Sequence, residues 1–116
     1  MEEIIQMIIE NPNINVGINI PKPENRPCII ICIQENNENC FLKYSTGNSG
    51  KIVSKAEFRG AYKVLETCCF TKKWYTENFH KQSKNKSCNY TTIGGIFILL
   101  GIAEYIPKGK YRLRKQ

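Results

Sequence analysis

Aspartate is absent from this chain of 116 residues, and all ten of its acidic groups are glutamate. Histidine and tryptophan each occur once. Metal-dependent nucleases need carboxylates clustered around divalent ions, whereas Glu57, Glu66, Glu77 and Glu104 are spread over three predicted elements. His80 with Cys69 or Cys88 supplies a base and a nucleophile, but no local motif surrounds them. The chain is therefore expected to be no enzyme and to carry no cofactor. Zinc fares little better. Cys68, Cys69, His80 and Cys88 are four ligand types within a short stretch, yet adjacent Cys68 and Cys69 cannot point the same way along a regular element, and structural sites draw on Cys-x2–4-Cys knuckles. Cys28 and Cys32 lie in a strand-like run that has no turn of that kind. No metal is expected.

Long hydrophobic runs are also missing. Spanning a bilayer takes about 20 predominantly apolar residues, and the uninterrupted run from Ile93 to Ala103 stops at Glu104. The opening MEEIIQMIIENPN is acidic where a secretory signal is basic, and no small-residue cleavage site follows. These features predict a cytoplasmic protein with no membrane contact. In a reducing compartment Cys28, Cys32, Cys40, Cys68, Cys69 and Cys88 are expected as free thiols.

What the chain has in excess is positive charge, and unevenly. Its formal net charge is +7, from 17 Lys and Arg against 10 acidic residues. Residues 1–50 carry 3 basic and 6 acidic side chains, and residues 51–116 carry 14 and 4. The C-terminal part thus has a net charge of +10, the electrostatics of a polyanion binder.

Three segments are predicted within one compact unit. Residues 1–26 form an arm: Ile4, Ile5, Ile8 and Ile9 make a short helical stripe, and NPNINVGINIPKPENRP is a Pro-rich linker. The stripe packs either on the domain or on a second copy. Residues 27–50 form a β-hairpin, with CIIICI and CFLKYST as strands around the turn-forming QENNEN and GNSGK as a closing loop. Within residues 51–116, Ser54 and Glu57 have the spacing of a capping box, Val53 and Phe58 that of a hydrophobic staple, and Phe58, Ala61, Tyr62 and Leu65 form one apolar helix face. Thr71 caps a second helix, KKWYTENFH. Thr91 or Thr92 caps a third, with Ile93, Ile96, Phe97 and Leu100 toward the core and Gly101 as a left-handed C-cap. Two short strands, Ile102 to Ile106 and Lys110 to Arg114, close around Gly109.

Residues 52–115, and above all IGGIFILLGIAEYIPKGKYRLR, resemble the winged helix-turn-helix DNA-binding superfamily, in which three helices precede a basic hairpin. The resemblance implies an α+β fold: a winged helix-turn-helix domain preceded by an N-terminal arm and a β-hairpin. It also implies that the third helix enters the major groove and the wing meets phosphate or the minor groove. On that basis Asn89, Tyr90, Thr91, Thr92 and Gly95 face the groove; Lys108, Lys110, Arg112 and Arg114 form the wing; and Lys72, Lys73, Lys84 and Lys86 lie near backbone phosphates. Beyond Thr92 the third helix is nearly all apolar residues and glycine, which favours backbone charge over base-edge readout. Tyr90 and Tyr105, beside basic residues, are candidates for base contact.

The expected function is non-enzymatic nucleic-acid binding, to DNA more than RNA, as a small transcription regulator or accessory subunit. A protein adaptor or inhibitor is the competing class. It docks a partner, or a second copy in a homodimer, through Ile4, Ile5, Ile8, Ile9 and the hairpin of residues 28–46. Added salt separates the two, since it weakens phosphate binding steeply and apolar docking little.

Overall fold

Ser54 caps the helix that follows the first sheet. Its Oγ accepts from the Glu57 amide at 3.2 Å, and the Ser54 amide donates to the Glu57 carboxylate at 2.8 Å, so the expected capping box is complete. The helix it starts, α2 (Lys55–Thr67), buries Phe58, Ala61 and Leu65 along one face. Val53 and Phe58 are both fully buried, as a staple requires. The computed structural model describes residues 3–23, 27–47, 50–81, 89–107 and 109–114. They form a mixed α+β fold with two antiparallel three-stranded sheets.

The amino-terminal helix α1 (Glu3–Glu10) packs on α2. Its stripe is spent inside the molecule: Ile4, Ile5 and Ile8 are buried and Ile9 packs partly buried against the core. Of the two packings the stripe allows, these side chains take the one within the molecule, with α1 in contact with α2.

The predicted hairpin consists of β1 (Ile29–Ile33) and β2 (Leu42–Ser45). A third strand, β3 (Gly50–Val53), joins it in place of a loop running directly into the helix. Val53 pairs with Leu42 and both are buried, so the strand gains an apolar inner position that the turn-forming residues before it conceal. The boundary expected at residue 50 thus cuts a sheet. The arm is no loose linker either: Gly17 donates to the Ile30 carbonyl at 2.8 Å, Ile30 to Ile18 at 3.0 Å and Ile20 to Cys28 at 2.6 Å. These bonds line part of the β1 edge.

After α2 come β4 (Cys69–Thr71), α3 (Lys72–Asn78), α4 (Asn89–Leu99), β5 (Ala103–Ile106) and β6 (Lys110–Leu113). The second sheet has the order β4-β6-β5. β4 is an addition to the predicted elements; three residues are too few to show a period, and Phe70 enters the sheet by pairing with Tyr111. The helix α4 starts at Asn89, ahead of the expected caps Thr91 and Thr92. It ends as predicted, with Gly101 at φ 79°. Gly109, at φ 83°, turns the β5–β6 hairpin.

α4 is the central helix, buried on more than its apolar face. Ile93, Ile96 and Phe97 are inside, and so are Asn89, Tyr90, Thr92, Gly94 and Gly95. Two glycines admit its neighbours. A Cβ on Gly94 would stand 2.2 Å from the Tyr111 ring, and one on Gly95 would stand 2.4 Å from both Ile20 and the Pro21 carbonyl. Phe70 packs at the middle of the aromatic core, with Tyr90, Phe97 and Tyr111 ring centroids 4.9, 6.1 and 6.1 Å away. Among the described residues no helix is long and apolar enough to cross a membrane.

Gly94→Ala is expected to destabilise the fold by about 2 kcal/mol or more, because the Tyr111 ring has to shift within a packed core. Urea unfolding followed by tryptophan fluorescence measures it, and a midpoint unchanged from the native chain would contradict the close packing described.

Candidate nucleic-acid interface

The amino-terminal half of α4 carries the residues expected to face a groove, and the fold turns most of them inward. Asn89, 2% exposed, donates from Nδ2 to the Glu57 carboxylate and to the Ile52 carbonyl, each at 2.9 Å, and accepts from the Tyr44 hydroxyl at 2.6 Å. Glu57, also 2% exposed, accepts in addition from the Tyr75 hydroxyl and from Ser54 Oγ. Thr92 is fully buried, and Thr91 is half-buried. Both hydroxyls accept from Lys22 Nζ, at 2.7 and 2.8 Å. Lys22 also lies over the Tyr44 ring, 5.6 Å from its centroid.

The placement of Asn89, Tyr90, Thr92 and Gly95 at an open groove-reading surface is therefore corrected. The segment Ile20-Pro21-Lys22 lies over this face of the helix. Cys28 Sγ approaches Thr92 Oγ1 at 3.7 Å from the same side. A polar pair such as Asn89 and Thr92 at a helix start looks in sequence like a surface. Here it is consumed by Lys22, Tyr44 and Glu57, which lie 70, 45 and 32 residues away. Lys22 is outside the expected site, and a lysine in a Pro-rich stretch carries no signal for this role.

The basic residues of the second sheet are placed differently. Lys110, Arg112 and Arg114 are exposed, as are Lys72 and Lys73. Pairing of Thr71 with Lys110 sets the start of α3 beside the hairpin. The two strands run about 5 Å apart, so the backbone of Lys72, next in sequence to Thr71, starts α3 close to that of β6. Alternation sends Lys110 and Arg112 to the outer face while Tyr111 enters the core. Arg112 Nε donates to the Glu104 carboxylate of the neighbouring strand at 2.6 Å. Lys84, Lys86 and Lys108 lie outside the described residues.

Of the two suspected tyrosines, Tyr90 is structural: it is buried, and its hydroxyl donates to the Gly109 carbonyl at 2.8 Å, tying α4 to the hairpin turn. Tyr105 is 38% exposed and rests edge-on against Tyr111 at 5.2 Å. Burial, then the neighbouring Tyr105, holds the Tyr90 phenol well above its ordinary pKa of 10.0. Burial, then Tyr90 and Tyr105, does the same to Tyr111, whose hydroxyl has no hydrogen-bond partner among the described residues.

Among the described residues Cys28, Cys32, Cys40, Cys68 and Cys69 form no disulfide, and no three His, Cys, Asp or Glu side chains come together as a metal site. Cys88 lies outside them. Comparison with protein-family models, with curated proteins and with solved structures gives no match.

Glu57→Gln is expected to cost about 3 kcal/mol, since an amide nitrogen then faces either the Ser54 amide or the Tyr75 and Asn89 donors, leaving buried donors unpaired. Chemical denaturation checks the loss, and the variant should keep its fold below the transition. A pH dependence follows from the tyrosines. Their folded pKa values are raised, so their contribution is fully present below pH 10.0, the unfolded value, and is lost as pH climbs through the folded values. The urea midpoint should therefore fall above about pH 10, and Tyr111→Phe should make that fall shallower.

Proposed function

We propose that this chain is a winged-helix protein that binds nucleic acid, duplex DNA foremost, through the phosphate backbone and not through base edges. The observation that carries the reading is that Lys72, Lys73, Lys110 and Arg114 are all exposed, with the β4·β6 register setting the start of α3 beside β6 and Arg114 just beyond the end of that strand. Compatible with it, the named elements from Lys55 to Leu113 run helix, strand, helix, helix, strand, strand, and the second sheet has the order β4-β6-β5.

The mechanism is electrostatic. Each Lys or Arg that reaches a phosphate releases a condensed counterion, so affinity falls steeply with salt. Backbone contacts fix position and orientation without reading sequence. With Asn89, Tyr90 and Thr92 held inside, the third helix offers few groups to base edges, and discrimination between duplex sequences is small. Such binding suits an accessory subunit that holds DNA near a larger assembly, or a transcription regulator whose site is chosen by a partner.

Labelled duplex DNA and single-stranded RNA, titrated at low and moderate salt, test the reading. The native chain should bind duplex with an affinity that falls as salt rises. The variant Lys72→Ala/Lys73→Ala/Lys110→Ala/Arg114→Ala should flatten the salt slope by about 0.9 for each phosphate it no longer neutralises. Absence of binding at low salt, or a variant that binds like the native chain, would overturn it.

A further inference from the structure

The outer face of the first sheet carries an unusual grouping. Ile29 and Ile31 of β1 and Ile52 of β3 are 43%, 41% and 40% exposed. A bulge between Ile30 and Cys32 places both Ile31 and Cys32 opposite Lys43, so β1 has an extra residue on this side without losing Ile30 from the core. Ile31 reaches across the sheet toward Gly50, its Cδ1 4.0 Å from where a Cβ on that glycine would lie. Lys43, exposed on the central strand β2, pairs with Ile52 on one side and Cys32 on the other. The patch is therefore three isoleucines around one cation. Among the described residues no carboxylate pairs with that cation.

We propose that this face docks a short segment of a protein partner that carries aliphatic side chains and a carboxylate, the aliphatic groups meeting Ile29, Ile31 and Ile52 and the carboxylate meeting Lys43. Two arguments select that occupant. Size is the first: three side chains about two-fifths exposed fall well short of the roughly 800 Å² per partner of a standard globular interface, so a linear segment fits and a large surface does not. Charge is the second: a two-fold axis through the patch would bring Lys43 against its own copy, and like charges in a desolvated contact oppose self-association. A carboxylate there turns the same lysine into an attraction and gives the site its specificity. The inference is independent of the nucleic-acid reading, whose cations lie on the other sheet.

Selection from a random-peptide display library on the native full chain tests it, followed by affinity measurement with the synthesised peptides. The recovered peptides should be rich in Leu, Ile or Val together with Asp or Glu. Ile31→Lys should weaken their binding at least ~10-fold, or ~1.4 kcal/mol. Lys43→Glu should reject them and accept versions in which Lys replaces the acidic residue, a charge swap that mere loss of fold does not produce. Circular dichroism of both variants verifies that the chain is folded. Peptides without acidic enrichment, or binding indifferent to both substitutions, would overturn the proposal. So would a native dimer in sedimentation that Ile52→Lys dissociates, since a second copy then covers the face.

Discussion

The Glu57 carboxylate is the constraint on which the rest of the architecture turns. One oxygen closes the cap of α2 through Ser54, and the other gathers Tyr75 of α3 and Asn89 of α4. Asn89 extends the network to the Ile52 carbonyl of β3 and the Tyr44 hydroxyl of β2. Three helices and the first sheet thus meet at a single buried acid, and the partners seen around it are neutral donors. A group of this kind is costly unless every lone pair is occupied, and a fully satisfied polar network fixes relative orientations that apolar packing alone leaves adjustable. The apolar side chains provide cohesion, while Glu57 and Asn89 set how the helices sit.

How much of this is legible in the chain depends on the range of the interactions involved. The capping box, the staple, the face of Phe58, Ala61 and Leu65, the first hairpin and the positive φ of Gly101 and Gly109 are set by neighbours within a few residues, and all can be read directly. β3 and β4 cannot. Their partners lie in other segments, and Cys69-Phe70-Thr71 has no period of its own. The polar start of α4 misleads for the same reason. Asn89 and Thr92 have local chemistry suited to a surface, and only Tyr44, Lys22 and Glu57, distant in sequence, make them interior. The exposed cations are legible one by one, but the β4·β6 register that sets the start of α3 beside β6 is not.

The outer faces of the two sheets differ in balance: the second exposes Lys110 and Arg112 beside Tyr105 and Leu113, and the first exposes three isoleucines around Lys43. In the second sheet the aromatic side chains Phe70 and Tyr111 are buried and the cations left outside. The first sheet buries Ile30, Leu42, Tyr44 and Val53 and leaves isoleucines outside. The composition imbalance along the chain, acidic first and basic later, is thereby converted into a spatial one. A molecule of this size can in that way present two chemically unlike surfaces without either compromising the core they share.

The crossing of Ile20-Pro21-Lys22 over α4 bears on how such a chain is made. Lys22 and its acceptors Thr91 and Thr92 stand 69 and 70 residues apart. During synthesis the arm emerges long before the helix it covers exists, so Ile20 and Tyr44 lack their α4 neighbours until the far part of the polypeptide follows. Closing so wide a loop is slow compared with forming a local turn. The interval between emergence of the arm and arrival of α4 is thus when the nascent chain is most prone to mispairing, and when a chaperone has the most apolar surface to hold.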